Sequence, residues 1–205
     1  RPMGRTPCTV PASIAVVIPQ RHLSGGAPET LFVPAYAEGD IFIPERRSQP
    51  VYEPMTFLDF FSGVGGFRKG FELCGMVCKG HCEIDKFADR SYRAIHDVKE
   101  DEWYGEDITK TEPADLPRVN LWAGGFPCQD ISVSGRQRGL AGKRSSLFFE
   151  IVRLLKGTPA EDRPEWLVLE NVKNLLSVNR GWDFATVLYS LAEIGYHIEY
   201  GLLNS

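Results

Sequence analysis

Nothing in the 205 residues forms an uninterrupted apolar run long enough to cross a bilayer, and no signal-peptide pattern is present. A cytoplasmic protein without a membrane partner is therefore expected. Basic excess is missing as well: 23 Lys and Arg stand against 27 Asp and Glu, for a net charge of −4. Proteins that grip nucleic acid are usually more basic, so composition speaks mildly against DNA. Any such role must come from a local basic patch, or from a part of the protein outside this chain. Cysteine is sparse and odd in number (8, 74, 78, 82 and 128), which suits a reducing compartment rather than a disulfide framework. Cys74, Cys78 and Cys82 with His81 invite a zinc reading, but their spacing matches no common paired-ligand pattern. On the predicted strand Cys78 and Cys82 share a face while His81 points the other way. No metal is expected. The glycine loop at 62–66 is neither a GxGxxG dinucleotide fingerprint nor a P-loop, whose lysine it lacks.

What is present is 43% hydrophobic residues, enough for one good core with an appendage. Residues 1–54 hold nine of the fourteen prolines, a density that disfavours long helices and central strands. They read as a Pro-rich leader or upstream extension, flexible or else a small β-rich module. The organised domain is expected over 55–205.

From Thr56 the pattern becomes regular. A strand at 56–61 leads into Ser62-Gly63-Val64-Gly65-Gly66. A helix with Phe67, Gly70, Phe71 and Cys74 on one face stops at Gly75. A strand at 76–83 ends in Glu83-Ile84-Asp85, and a helix carries Ala88, Tyr92 and Ile95. A short strand ends near Glu106-Asp107-Ile108, and 116–124 leads into the central strand. Leu147, Ile151, Leu154 and Leu155 mark a third helix, and Trp166-Leu167-Val168-Leu169 a buried strand ending in Glu170-Asn171. Phe184, Val187, Leu188 and Leu191 make a fourth helix stopped by Gly195, and a last strand spans 197–203. Strand and helix alternate, so the fold class is α/β, a doubly wound, mostly parallel sheet.

Ligands of such sheets sit beyond the carboxyl ends of the strands. The chemically notable groups all fall there: the glycine loop, Glu83, Asp107, Cys128 and Glu170. The glycines permit close approach to the backbone. Glu83 is placed to accept from a ribose diol and Asp107 from an exocyclic amine, which suggests an adenosine-bearing ligand without phosphates. Each acid alone reads equally as a solvated surface group. Pro127 stiffens the chain before Cys128, although a cysteine after a strand is often only a packed small hydrophobe. Residues 132–144 carry Arg136, Arg138, Lys143 and Arg144 with three glycines, either a solvated loop or a basic hinged flap that grips phosphate oxygens. Glu170 ends a buried strand, where an ionised carboxylate is costly unless paired or used, making it a candidate proton donor.

In this order the motifs resemble the cytosine-5 DNA methyltransferases, a class I S-adenosylmethionine-dependent, Rossmann-like fold. Asp59-Phe60-Phe61-Ser62-Gly63-Val64-Gly65-Gly66-Phe67 resembles the family's cofactor loop. Gly124-Gly125-Phe126-Pro127-Cys128-Gln129 resembles its Pro-Cys motif, 139–149 the segment after the active-site loop, and Glu170-Asn171-Val172 its Glu-Asn-Val motif. The resemblance implies S-adenosylmethionine held by Phe61, Gly63, Val64, Gly65, Gly66, Glu83, Ile84, Asp107, Ile108, Pro127 and Leu147. It implies catalysis by Cys128, Glu170, Asn171, Pro127 and Arg144, and contacts to double-stranded DNA from Gln129, Ser132, Ser134, Arg136 and Arg138. Cys128 would add to C6 of a flipped-out cytosine while Glu170 donates to N3, raising the nucleophilicity of C5. A free thiol with a pKa of about 8.5 is only slightly ionised at neutral pH, so Arg144 is a candidate to favour the thiolate.

A prokaryotic or phage-type enzyme, of the kind found in restriction-modification systems, is expected. The family's next segments, a Gln-x-Arg-x-Arg motif and a target-recognition domain, are not found before Ser205. The expectation is a sheet incomplete at its C-terminal end, with a bare strand edge after 166–169 where the Gln-x-Arg-x-Arg strand would insert antiparallel. The chain is then a portion or one half of a split enzyme, inactive alone, whose partner is its C-terminal part or a complementary subunit. A tRNA cytosine-5 methyltransferase or a non-catalytic S-adenosylmethionine-binding subunit are the alternatives.

Overall fold

The computed structural model describes residues 13–19, 53–127 and 147–203. A seven-stranded sheet forms its centre, with strands β1 (Ser13–Pro19), β2 (Thr56–Phe60), β3 (Val77–Cys82), β4 (Trp103–Gly105), β5 (Leu121–Gly125), β6 (Trp166–Val172) and β7 (Glu199–Leu203) in the order β4-β3-β2-β5-β6-β1-β7. The five strands β4-β3-β2-β5-β6 are parallel throughout. Parallel neighbours need crossover connections, and the helices α1 (Gly66–Leu73), α2 (Lys86–Ile95) and α3 (Leu147–Gly157) belong to those crossovers, while α4 (Trp182–Ile194) connects β6 to β7.

The helices divide between two faces. Phe67 and Phe71 of α1 pack on Phe57, Cys78, Leu121 and Ala123. On the other face, Phe148, Ile151, Leu154 and Leu155 of α3 and Phe184, Val187 and Leu191 of α4 pack on Leu58, Phe60, Trp122, Leu167 and Leu169. Period-2 alternation along β5 and β6 thus feeds two separate cores. Each fully buried Phe or Leu contributes about 1.5–3 kcal/mol, so this two-sided burial is the main force holding the sheet. Gly195, at φ 107°, ends α4 as expected, and Gly75, at φ 82°, ends α1. In both cases a left-handed residue closes the last turn.

Several expectations are corrected. Cys74 lies exposed rather than on the buried face of α1, and Ile95 of α2 is also largely exposed. Cys78 and Cys82 do not share a face. The β2–β3 register shifts between Phe57 and Leu58, which pair with Cys78 and Gly80 respectively. Lys79 is therefore an extra residue on β3, and such a bulge inverts the alternation beyond it. Cys78 joins the α1-side core and Cys82 the opposite one. His81 ends up near Cys78, its ring stacked 4.0 Å from that of Tyr92, whose hydroxyl lies 3.8 Å from the Cys78 sulfur. Burial pushes the Cys78 thiol up to about 11 and the Cys82 thiol up to about 12.

The larger correction concerns the N-terminal region. Ser13–Pro19 is a central strand, antiparallel to β6 on one side and β7 on the other. Its six residues before Pro19 are proline-free and mostly apolar, so the local sequence permits what the proline density of residues 1–54 argued against. The strand edge expected to be bare beside β6 is paired along its whole length, from Trp166 to Val172.

Candidate active site

Chain order reverses between β2 and β5. From β2 the chain winds outward through β3 to β4, then crosses to β5 and continues to β6. That reversal opens a crevice at the carboxyl ends of β2 and β5, the place where doubly wound sheets hold ligands. The glycine loop leaves β2 there, and Phe126-Pro127 leaves β5.

The loop is held in an unusual backbone state. Phe61 (φ 52°), Gly63 (φ 55°) and Gly65 (φ 86°) all have left-handed conformations, which is uncommon for a residue with a side chain such as Phe61. The Gly65 N–H donates to the Ser62 carbonyl at 2.8 Å. A Cβ on Gly65 would press into the His96 ring and the Tyr92 ring, whereas a Cβ on Gly63 or Gly66 would meet open space. One glycine thus answers to packing, and the other two leave backbone open to a ligand.

Glu83, at the end of β3, fastens this loop to the next one. Its Oε2 accepts from the Gly63 N–H at 2.8 Å and its Oε1 from the Asp85 N–H at 2.8 Å. Asp85 caps α2, accepting from the Phe87 and Ala88 N–H groups. Ile84 between them is largely exposed, as are Val64 and Phe87. Asp107 follows β4. Its Oδ1 accepts from the Thr109 hydroxyl at 2.7 Å and the Thr109 N–H at 3.0 Å, and these bonds hold its carboxyl below the usual range. It borders an open cleft of about 460 Å³ lined also by Trp103, Tyr104, Glu106 and Lys110. The side chain of Ile108 is buried in the core and its carbonyl accepts from Arg153 at 3.0 Å and from the Thr111 N–H, which leaves its own N–H available. Leu147 is half-buried at the start of α3.

Beneath the loop lies a group of residues to which motif reading gave no individual role. Asp59 on β2 is 1% exposed, and among the described residues neither carboxylate oxygen has a hydrogen-bond partner. Burial pushes its pKa to about 8, with the neighbouring Glu83 charge adding to the shift and Arg68 opposing it. The Asp59 carboxyl is therefore mostly neutral at pH 7. Arg68, buried on α1, pairs with Glu102 at 2.7 Å and with Glu72 at 2.8 Å, and donates to the Asp97 carbonyl. The His96 ring meets the Val64 carbonyl at 3.0 Å. The one signal available in sequence was Asp59 itself, a lone acid inside an apolar strand.

At the β5–β6 side, Gly125 pairs with Glu170 in parallel register. A Cβ at Gly125 would lie 3.0 Å from the Glu170 Oε2, so the carboxylate sits over the strand that leads to Pro127. Glu170 lies inside β6 rather than at its end and is half-buried. Asn171, 4% exposed, donates from Nδ2 to the Phe126 carbonyl at 2.7 Å, while its Oδ1 accepts from the Val172 N–H at 2.9 Å. Both amide groups are thereby used, and the peptide entering Pro127 is pinned. Pro127 itself is exposed. Cys128, Gln129, Ser132, Ser134, Arg136, Arg138, Lys143 and Arg144 lie outside the described residues.

A family model described as C-5 cytosine-specific DNA methylase matches residues 55–205. The chain belongs to that family. Among curated methyltransferases, it is 41% identical over 162 residues to the type II methyltransferase M1.ScrFI of Lactococcus lactis subsp. cremoris, covering 78% of this chain and 39% of that protein. It is 38% identical over 153 residues to the orphan methyltransferase M.SPRI of Bacillus phage SPR, covering 74% and 34%. The chain thus spans well under half the length of these relatives. Among solved structures, the Entamoeba histolytica methyltransferase EhMeth matches with a TM-score of 0.54 at 18% identity, over 72% of this chain and 46% of that one. Dnmt2 methyltransferase of S. pombe matches at 0.50 and 20%, over 67% and 40%. These two likenesses establish the methyltransferase fold of the parallel sheet. No described helix is long and apolar enough to cross a membrane.

Proposed function

We infer that this chain carries the cofactor pocket and the covalent chemistry of a DNA cytosine-5 methyltransferase whose cofactor is S-adenosylmethionine. The observation that carries the reading is the convergence, at one switch point, of an open glycine loop, the doubly bonded Glu83 and the Glu170–Asn171 pair leaning on the strand before Cys128. The donor set fits the cofactor. Carboxylates at Glu83 and Asp107 offer acceptors to hydroxyls and an amine, the exposed Ile84 offers an apolar surface to a flat base, and the buried Ser62 Oγ lacks a partner among the described residues. When bound, S-adenosylmethionine supplies the methyl group.

The chain's own residues do the rest. Cys128 thiolate adds to C6 of a cytosine flipped from the duplex, and Glu170 donates a proton to N3, which builds electron density at C5. After the methyl group reaches C5, the C5 proton passes to water, Cys128 leaves as the thiolate and N3 returns its proton to Glu170, which restores the aromatic ring. Asn171 keeps the Phe126 carbonyl fixed, so the thiol enters from a preset backbone, and Arg144 favours the thiolate. Gln129, Ser132, Ser134, Arg136 and Arg138 contact the DNA. The chain covers about two-fifths of M1.ScrFI, and methylation requires the remaining portion, supplied in the same chain or by a complementary subunit.

Calorimetric titration with S-adenosylmethionine tests the pocket. Glu83→Ala and Asp107→Ala are each expected to weaken binding by about 1.5–3 kcal/mol, the worth of a hydrogen bond to a charged group. Unchanged affinity in both variants places the pocket elsewhere.

A further inference from the structure

Asp59 takes no part in the chemistry above, yet it is a buried carboxyl at the base of the crevice. It is the next-to-last residue of β2, 1% exposed, with neither oxygen bonded among the described residues. We propose that Asp59 is a charge-sensing residue of the cofactor pocket, which selects a cationic ligand over a neutral one of the same shape and releases a proton when the cation binds.

The charges around Asp59 give the first reason. Arg68 of α1 is a buried cation nearby, but its N–H groups are already engaged. Nε donates to Glu72 at 2.8 Å, Nη1 to Glu102 at 2.7 Å, and Nη2 to Glu102 at 3.0 Å and the Asp97 carbonyl at 3.1 Å. His81 of β3 stands opposite Asp59 in register. Burial holds its ring below the usual imidazole range, and its Nε2 meets Asp89 at 2.9 Å, so it is neutral at pH 7. The Cys78 thiol, raised to about 11, and the Tyr92 hydroxyl of α2, also raised, are neutral too. His96 of α2 spends its Nε2 on the Val64 carbonyl. Ala123 of β5, paired with Asp59 on the other side, carries no charge, and Glu83 adds a negative one. Burial, with Glu83 beside it, therefore holds the Asp59 carboxyl protonated, at about 8. Its anion has no cation of its own among the described residues.

Position gives the second. The other buried side-chain atoms without a partner among the described residues, the Ser62 Oγ and the His81 Nδ1, lie on the same loop and strand pair. Unmet polar capacity is thus gathered beneath the glycine loop, whose Gly63 and Gly66 face open space. A cation close to a carboxyl lowers its pKa by about 1–3 units. Asp59's role rests on the reading of this crevice as the S-adenosylmethionine pocket. The cation is then the sulfonium, and the same molecule without its methyl group is a neutral thioether. Asp59 passes its proton to solvent as the sulfonium enters, and its carboxylate favours the methyl-bearing form over the spent one. By linkage, affinity for the cation rises with pH up to about 8, where Asp59 ionises without help.

Calorimetric titration of the full chain in buffers of different ionisation enthalpy counts the protons released per ligand bound. At pH 7 the parent is expected to release about half a proton or more with S-adenosylmethionine, and far less with S-adenosylhomocysteine. Asp59→Asn, which keeps the size and neutrality of the protonated carboxyl, is expected to lose that difference. Its preference for S-adenosylmethionine over S-adenosylhomocysteine is expected to be about tenfold smaller than the parent's, the equivalent of one pKa unit. The ligands' own amino groups contribute alike to parent and variant and cancel in the comparison. The comparison of the two ligands on the parent needs no variant. Equal proton release with both ligands on the parent overturns the charge sensing, as does an unchanged preference in Asp59→Asn. Failure of both ligands to bind the parent contradicts the pocket reading as well, whereas binding of both without these differences contradicts the role of Asp59 alone.

Discussion

Replacing Gly65 by alanine puts a methyl group where the fold has no room for one. At φ 86° the backbone is left-handed, which costs an L-residue roughly 1–2 kcal/mol. The added Cβ would lie 2.7 Å from the His96 Cδ2 and 2.9 Å from the Tyr92 Cδ2, and closer still to the His96 Nε2. Tyr92 is fully buried and His96 nearly so, and the His96 ring is also tied to the Val64 carbonyl. The histidine is the neighbour that can yield, and in yielding it loses that hydrogen bond, a further cost of about 1–3 kcal/mol. The total, about 2–5 kcal/mol, is a large share of the 5–15 kcal/mol typical of a domain. Urea unfolding followed by circular dichroism reads it directly. Repeating the substitution in a His96→Ala background separates the contributions: the His96 part disappears, and the backbone part of about 1–2 kcal/mol remains together with the Tyr92 contact at 2.9 Å. A loss below about 0.5 kcal/mol in the parent background, a typical surface effect, would refute the reasoning, as would an equal loss in both.

Two further predictions follow from the buried groups of the site. The Asp59 carboxyl is raised to about 8 in the fold, from 3.8, so between those values the native state holds a proton that the unfolded chain releases. Stability should fall as pH rises through that window, by at most about 1.4 kcal/mol per pH unit from this group; Asp59→Asn should flatten the decline, and urea midpoints from pH 5 to 8 that fall equally in both proteins would contradict it. Asn171→Ala leaves the buried Phe126 carbonyl without its donor, a cost of about 1–3 kcal/mol, and a thermal unfolding midpoint identical to the parent's would show that the bond does not hold the Pro127 strand.

The parallel sheet and the ends of its strands were legible because apolar runs, glycine stops and acids recur in one order from Thr56 onward. Glu83 stood out as an acid at the end of the strand over 76–83, and in the fold it follows β3 and accepts from the Gly63 N–H, a bond that the sequence did not announce. Other features depend on tertiary partners and leave no periodic trace. The bulge at Lys79 inverts the faces of Cys78 and Cys82, and Gly80 beside it is the one residue within 77–82 that signals it. The burial of Arg68 leaves no local trace in the sequence, because its most buried partner, Glu102, lies 34 residues later. The strand at Ser13–Pro19 was hidden by the prolines around it, since its partners β6 and β7 are the last strands of the chain.

The central claim is that Cys128 attacks a flipped cytosine in this site with Glu170 as proton donor. Its most direct test uses duplex DNA carrying 5-fluorocytosine, with S-adenosylmethionine and this chain joined to, or mixed with, a complementary C-terminal portion from a DNA methylase relative. Fluorine at C5 blocks the final elimination, so a denaturation-stable protein–DNA adduct is expected, mapped to Cys128 by mass spectrometry and absent from Cys128→Ser. An adduct that persists in Cys128→Ser, or one that maps to another residue, contradicts the account.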